Sequence, residues 1–471
     1  MSTSTIVMMI VYLVLFGGGS AVLLKKSLSA SKGTKGQGSA EGFSSSIGFI
    51  LSTVGMSVGL GAVWRFPMLC AKWGGGAFVL AFAIITILLV LPAGLAESAY
   101  GRHRQTTVAE GFVQDAGVGG KILGWMCSID QLFLFAYYPS VVAVVLIYLF
   151  KSFKGISTYA ANSQALYDSV NGNHPLMYVV VLCVIVIAAL IGLRGAKGIE
   201  KVCNFMLPVL FILLIILVIR VFTIPGIEEG IEYYIKPDWA MLTNSQMWAE
   251  AAGMALFAVG LGPGILYTYG RHARQEGDIA LDFLTVNVVQ ILICLLCGFI
   301  IIPAVKIYGF DPMMGKGILF VALPKVFASL SGGTVWMILF LIALFFAGLS
   351  SSISQLEVGI SMFMDKYGFN LERKKAVGLG VIIAFIVAIP CVWSDSFFAV
   401  FDNIIGNIGY CVCALVIAII IGWKFGAKKI REEHYNPTGI IKWGAWVDYL
   451  YKYLFVIVMA YFTITAIISL F

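Results

Sequence analysis

Residues 58–61 read Val-Gly-Leu-Gly, and the same tetrapeptide recurs at residues 259–262. Each copy lies within an apolar stretch that is long enough to cross a bilayer. Glycine in a helix interior costs about 1 kcal/mol relative to alanine, and the second copy runs into Pro263, which lacks a backbone donor. In hydrocarbon, a broken helix is stable only where protein covers the break or the break lines a wet cavity. Two such breaks in corresponding halves indicate a secondary transporter and mark its binding site.

The whole chain has the composition of a membrane protein. Of its 471 residues, 60% are hydrophobic and only 12% are charged, which excludes a soluble globular domain. The polar connections are too short for a separate soluble domain. The predicted spans are residues 5–24, 44–70, 76–100, 122–150, 175–193, 202–222, 246–270, 278–305, 333–364, 375–393, 398–424 and 443–470.

The distribution of basic residues predicts the orientation. Most Lys and Arg side chains fall on one side when the loop after the first span is placed in the cytoplasm, as the positive-inside rule requires. Both termini are then outside, and the net charge of +7 reports topology and implies no nucleic-acid partner. The nine cysteines lie in or at the ends of apolar segments, where packing is their expected role.

The first apolar segment is predicted to be a signal-anchor span that stays in the mature protein. No basic residue precedes it, whereas Lys25 and Lys26 follow it, which is the reverse of a cleaved signal peptide. We therefore divide the chain into residues 1–40, an extra span with a flexible cytoplasmic linker, and residues 41–471, the transporter core.

Several motifs occur in a fixed order from about residue 43 to the end of the chain. Trp-Arg-Phe-Pro at 64–67 follows the first glycine break, and Gly-Gly-Gly-Ala-Phe follows at 74–78. Phe257 precedes the second break, and Ala-Gly-Leu-Ser-Ser-Ser at 347–352 comes later. This ordered set resembles the neurotransmitter:sodium symporter family, and in particular its bacterial amino-acid transporters of the leucine-transporter fold.

The resemblance implies an all-α membrane protein made of two inverted five-helix repeats. The first repeat covers about residues 44–222 and the second about 246–424, and a final helix covers 443–470. The first and sixth core helices are then discontinuous, in agreement with the repeated tetrapeptide. This gives eleven core helices and one extra N-terminal span.

The resemblance also implies a substrate site at the two breaks. The amides of Leu60 and Gly61, with the Tyr138 hydroxyl, are expected to hold a carboxylate, because helix N-termini bind anions. Gly59 occupies the position where monoamine carriers of the family have an aspartate, which favours an amino acid as substrate. The other predicted pocket residues are Met56, Ser57, Leu134, Phe257, Ala258, Gly260, Pro263, Ser351 and Gln355.

One sodium site of the family is predicted to be intact. By resemblance, its ligands are the carbonyls of Gly55, Val58 and Ala347 and the hydroxyls of Ser350 and Ser351. Hydroxyls in membrane helices also bond to the preceding turn of their own helix, and this alternative stays open.

The second sodium site and the chloride site of the family are predicted to be lost. The resemblance requires side-chain oxygens at positions that are Ala62 and Ala258 here, and an asparagine where this chain has Gln290. Cys294 stands at the chloride or carboxylate position. We expect one coupling sodium ion, or a substrate amine in place of the second.

Charged residues within the spans are candidates for gates and proton carriers. Arg65 is kept at the outer gate. The position expected to hold its acidic partner is Ile405, so Asp402, one turn away, is predicted to pair with Arg65. Tyr138 and Phe257 are expected to close the pocket. At the inner gate, Asp365 is kept, but its arginine partner is Ala40. The other acids in or beside spans are Glu97, expected in a cytoplasmic network, Asp130, and Glu357, the candidate proton carrier.

The predicted function is sodium-coupled import of a neutral, apolar amino acid by alternating access, in a bacterial inner membrane. Gly260 favours a bulky apolar side chain, whereas Gln355 favours a polar one. Two alternatives stay open: a proton-coupled carrier of the same fold, and a receptor that binds an amino acid without moving it. The chain has no H-E-x-x-H motif, and no enzyme is predicted. The oligomeric state is left open.

Overall fold

A computed structural model describes residues 3–32, 42–156, 160–315 and 317–468, and most of these residues are helical. The linker residues 33–40, and with them Ala40, lie outside the described residues. The principal helices are α1 Ile6–Ser29, α2 Ser46–Ser57, α3 Leu60–Lys72, α4 Gly76–Arg104, α5 Val108–Ser152, α6 His174–Gly192, α7 Gly195–Phe222, α8 Ser245–Val259, α9 Ile265–His272, α10 Ile279–Ile307, α11 Gly333–Met364, α12 Arg373–Trp393, α13 Asp395–Tyr435 and α14 Trp446–Ile468.

The first predicted break is present between α2 and α3. The two halves meet at an angle of 58°, and only Val58 and Gly59 separate them. Ser45 caps the start of α2 by accepting a hydrogen bond from the Gly48 amide. Val58 leaves helical geometry at ψ 66°, and Gly59 is extended, so the Val-Gly pair ends one helix and begins the next.

The second predicted break is present between α8 and α9. Gly260, Gly262 and Gly264 have φ values of 70°, 116° and 82°, a region that side chains other than glycine rarely adopt. Asn244 caps α8 by accepting from the Gln246 and Met247 amides. The Gly-Leu-Gly-Pro-Gly sequence at 260–264 thus interrupts the helix at the predicted place.

The number of spans agrees with the prediction. Among the described residues, ten helices are long and apolar enough to cross a membrane, or eleven when α2 and α3 count as one span. The remaining predicted span, residues 246–270, corresponds to the broken pair α8 and α9, which is not among these eleven. Helix α5 consists of two helical segments that meet at a kink at Gly117, which has non-helical φ and ψ values of 58° and −141°, and the segment after the kink contains the predicted span 122–150. The all-helical membrane fold is confirmed, whereas the boundaries of the two repeats stay a prediction.

Two long helices form the wall against which the broken helices pack. Helices α5 and α11 lie against each other over much of their length. Small residues allow this contact, since a Cβ on Gly348 would meet Val142 and one on Gly359 would meet the backbone of Leu132. The faces of α5 and α11 beside the breaks carry the hydroxyls of Tyr138 and Ser351.

The extra helix α1 is attached to the core at both ends. At one end, the Tyr12 hydroxyl donates to the Gly76 carbonyl at 3.1 Å. At the other end, the buried Ser27 hydroxyl donates to the carboxylate of Asp282 on α10, and Ser46 at the start of α2 also bonds this carboxylate. The Asp282 carboxylate therefore connects the extra helix α1 to the start of the first broken helix, α2.

We expect Ser27→Ala to lower the stability of the protein by about 1.5–3 kcal/mol, because a buried hydrogen bond to a charged group is lost. The measurement is the unfolding temperature in detergent. Ser29→Ala is the matched control, since the Ser29 hydroxyl is exposed and bonds only the Lys25 carbonyl of its own helix. Equal unfolding temperatures for both variants would contradict this role of Ser27.

Candidate substrate and ion site

The two breaks lie on opposite sides of a cavity of about 50 Å³. Helices α5, α11 and α13 complete its wall. Its lining residues are Met56, Ser57, Gly59, Gly61, Ala62, Leu134, Tyr138, Phe257, Ala258, Gly260, Ile265, Ser351, Ser354, Gln355 and Tyr410.

The cavity brings together ten of the twelve residues predicted for the pocket. Leu60 and Pro263 are not among its lining residues, although the Leu60 amide contacts a residue that is. Tyr410 lines the cavity and was not predicted. It lies on α13, outside the motifs that pointed to the site, so no sequence signal identified it.

Two hydroxyls converge on the first break. The Tyr138 hydroxyl accepts a hydrogen bond from the Leu60 amide at 3.0 Å, a bond that does not use its own proton, and it also interacts with the Ser351 hydroxyl. A Cβ on Gly59 would lie 3.0 Å from the Ser351 hydroxyl and 3.3 Å from that of Tyr138. A side chain at position 59 would therefore press on both hydroxyls, whereas glycine leaves them beside the amide.

Oxygen atoms of four of the five residues predicted as sodium ligands, all except Val58, are close together. The Ser350 hydroxyl lies 2.6 Å from the Gly55 carbonyl and 3.1 Å from that of Ala347. The Ser351 hydroxyl lies 3.3 Å from the carbonyls of Met56 and Ala347. Each serine hydroxyl thus contacts one carbonyl of the first broken helix and one carbonyl of its own helix. The geometry therefore agrees both with an ion-ligand role and with bonding to the preceding turn.

The positions of the second sodium site carry no suitable oxygens at the cavity. Ala62 and Ala258 line the cavity with methyl groups. Gln290 is fully buried, does not line the cavity, and directs its amide nitrogen to the Cys294 sulfur at 3.5 Å. Its side-chain oxygen has no hydrogen-bond partner among the described residues.

A larger cavity of about 400 Å³ adjoins the small one, and its lining includes Arg65, Asp402 and Phe257. The Arg65 guanidinium lies 5.8 Å from the centre of the Phe257 ring. Asp402 accepts a hydrogen bond from the Tyr137 hydroxyl at 2.6 Å. Within the described ranges, no ion pair joins Arg65 to Asp402, so the predicted outer pair is not formed in this state.

The two acids predicted for the inner side have protein partners. Asp365 is fully buried and accepts hydrogen bonds from the Thr107 hydroxyl and the Tyr367 amide, both at 2.6 Å. Glu357 pairs with Arg373 and lies 3.7 Å from the His272 ring. Neither acid lines the central cavity.

Glu97 lies at the second break, not in a cytoplasmic network as expected. Its fully buried carboxylate accepts from the Gly262 amide at 3.0 Å and from the Tyr267 amide at 3.2 Å. These amides are left free because the glycines interrupt the helix. The sequence did not predict this role, because Glu97 is near the end of a predicted span and only the packing of α4 on α9 brings it to the break.

Comparisons with known proteins agree with the motifs. The model of the Sodium:neurotransmitter symporter family matches residues 40–166 and 156–471. The sodium-dependent transporter YhdH of Bacillus subtilis is 31% identical over 411 residues, covering 84% of this chain and 90% of that protein. The sodium-dependent transporter MJ1319 of Methanocaldococcus jannaschii is 30% identical over 440 residues, covering 87% of each.

A solved structure is similar over nearly the whole fold. MhsT in complex with L-phenylalanine has a TM-score of 0.80 and 28% sequence identity, covering 90% of this chain and 99% of that one. The expectations of a multi-pass membrane protein and of a transporter, not an enzyme, are therefore confirmed. The chain belongs to the Sodium:neurotransmitter symporter family.

Proposed function

We propose that the protein imports a neutral amino acid by alternating access and uses one sodium ion for each substrate molecule. One observation carries this proposal: the two broken helices meet at a cavity where the start of a helix, the Tyr138 hydroxyl and a cluster of neutral oxygens lie side by side. A zwitterion and a monovalent cation match these groups. The breaks also allow each half-helix to move separately, which alternating access requires.

The ion is assigned to the cluster of Ser350 and Ser351. Its oxygens are neutral carbonyls and hydroxyls that carry no formal charge, and they come from both α2 and α11. An ion bound there would join the inner half of the first broken helix to α11. A single ion is proposed because Ala62 and Ala258 place methyl groups where a second site would need oxygens.

The proposed substrate is a neutral amino acid with a predominantly apolar side chain. Leu134, Phe257 and Ile265 contribute apolar surface, and no charged residue lines the small cavity. The relative MhsT was solved with L-phenylalanine, which supports this class of substrate. The space beside Gly260 is filled by Met56, whose sulfur lies 2.5 Å from the position of an added Cβ, so Met56 must shift to admit a large side chain.

The test is uptake of radiolabelled amino acids into proteoliposomes that contain the purified full chain. We expect accumulation with an inward sodium gradient and none when potassium or choline replaces sodium. Accumulation that is independent of the sodium gradient would contradict sodium coupling. Ligand binding without any flux would favour the receptor alternative.

The alternative of a proton-coupled carrier with Glu357 as the carrier has less support. Arg373 binds the Glu357 carboxylate, and the Nε atom of Arg373 also donates to the Gly192 carbonyl at 2.8 Å. Glu357 thus joins α11 to α12 and to the end of α6. We assign Glu357 to a structural ion pair on the inner side.

We also propose, from the basic residues of the loops, that both termini lie outside a bacterial inner membrane.

We expect Tyr138→Phe to weaken substrate binding about 10- to 100-fold, because a hydrogen bond to a carboxylate contributes about 1.5–3 kcal/mol. The measurement is the dissociation constant of a labelled amino acid at saturating sodium. Tyr178→Phe is the control, since Tyr178 lies on α6 and does not line the cavity. An unchanged dissociation constant in Tyr138→Phe would remove the hydroxyl from the carboxylate site.

A further inference from the structure

Asp130 is a buried acid that none of the proposed steps uses. It lies on α5 two turns before Tyr138, and only 5% of its surface is exposed. One carboxylate oxygen accepts a hydrogen bond from the Gln131 side chain at 3.2 Å. The other oxygen, Oδ1, is buried and has no hydrogen-bond partner in the part of the chain that the structure describes.

The free oxygen of Asp130 points into α13. It lies against Gly409, where an added Cβ would overlap it, so glycine at this position lets the carboxylate keep its place. Gly409 ends a π-helical turn that covers Asn403–Gly409, and such turns occur frequently at functional sites. The next residue, Tyr410, lines the substrate cavity, and its buried hydroxyl also lacks a partner among the described residues.

Among the described residues, no cation forms an ion pair with Asp130, and Arg65 interacts with its neighbour Cys411. On α5, Tyr137 is the titratable group that interacts with Asp130. On α13, these groups are Tyr410, Cys411 and Cys413. Cys413 in turn bonds Cys127 of α5. In the described ranges, no Lys, Arg or His forms an ion pair with it from the elements packed on α5, which are α4, the helix Ser163–Asn171, α6, α11, α12 and α13. Tyr410 also interacts with Glu97, the acid that binds the second break.

An ionised carboxylate in this position would be buried in a membrane protein without a counter-charge. Such a charge is costly, and intramembrane acids are accordingly neutral, paired or functional. A metal ion would need several further oxygen ligands, and no group of three or more His, Cys, Asp or Glu residues suited to a metal ion occurs in the described residues. A proton needs only the free oxygen.

We propose that Asp130 is a proton-binding site whose occupancy changes during the transport cycle. In the state described here, the carboxyl group holds the proton on Oδ1. When the path beneath the central cavity opens, water reaches the carboxyl group, takes up the proton and leaves a solvated carboxylate. The return of the proton from water to Oδ1 accompanies closure. Tyr410, which follows Gly409 and lines the cavity, connects this site to substrate binding. The coupling of proton exchange to transport rests on the proposed transport function.

The experiment uses the full chain in proteoliposomes that enclose a pH-sensitive dye. We expect amino-acid uptake to change the pH of the lumen and to vary with external pH. Asp130→Asn should abolish both effects while sodium-dependent substrate binding is retained. Glu228→Gln is the control, since Glu228 is an exposed acid in the helix Ile227–Ile235 and should leave both effects unchanged.

A second measurement does not depend on transport. The infrared band of a protonated carboxyl group should be present in the wild-type protein without substrate and absent in Asp130→Asn, and Tyr410→Phe should shift it. If Asp130→Asn does not fold, Tyr410→Phe serves in its place, with a shifted band and altered pH dependence expected.

Wild-type uptake without any pH change, or an identical infrared band and pH profile in Asp130→Asn, would overturn the proposal. If no amino acid is taken up but the infrared band is lost in Asp130→Asn, the transport function fails and the proton site remains.

Discussion

Replacing both Ser350 and Ser351 by alanine is expected to abolish sodium-dependent uptake at sodium concentrations that saturate the wild type. Each hydroxyl is proposed as a ligand of the ion, and a hydrogen bond or contact to a charged group contributes about 1.5–3 kcal/mol. Losing two such contacts lowers the apparent sodium affinity by about 100-fold or more. The substitutions also remove the link between α11 and the Gly55 carbonyl of the first broken helix.

The measurement is the sodium concentration that gives half-maximal uptake or substrate binding. Ser352→Ala is a closely matched control, because the Ser352 hydroxyl is equally buried but bonds only the Gly348 carbonyl of its own helix. Ser350→Thr should retain most of the affinity, since the oxygen is kept. If the double alanine variant has the sodium dependence of the wild type, the ion lies elsewhere.

Gly262→Ala is expected to lower the stability of the protein by about 2–6 kcal/mol. Its φ of 116° costs an alanine about 1–3 kcal/mol, and overpacking adds a similar amount. The new methyl group would lie 2.6 Å from the Cα of Ala414, a backbone atom that cannot move aside alone. The Gly262 amide also donates to Glu97, so a backbone shift would weaken that bond.

Gly253→Ala in the preceding helix α8 is the control. It has a helical φ, and no atom lies within 4 Å of an added Cβ, so alanine should be neutral or stabilise the helix by up to about 1 kcal/mol. The measurements are the unfolding temperature in detergent and the yield of folded protein. Similar unfolding temperatures for the two variants would show that the second break is not held as rigidly as its geometry indicates.

The local interruptions of the two membrane helices could be predicted from the sequence alone. Val-Gly at 58–59 and Gly-Leu-Gly-Pro-Gly at 260–264 act through backbone geometry and a missing donor, which do not depend on neighbours. The spans follow equally from the length of apolar segments and the thickness of a bilayer. The motifs then identified the family and ten of the residues that line the cavity.

Contacts between distant parts of the chain were decided only by the tertiary structure. Glu97 reaches the amides of the second break 165 residues later, and Tyr410 of α13 completes a cavity built by other helices. The extra helix α1 is held through Ser27 and Asp282, which are 255 residues apart. These pairings depend on which helix faces pack together. A sequence specifies the apolar length and the breaks of each helix, but the rotation of a helix about its axis is set by close packing with its neighbours.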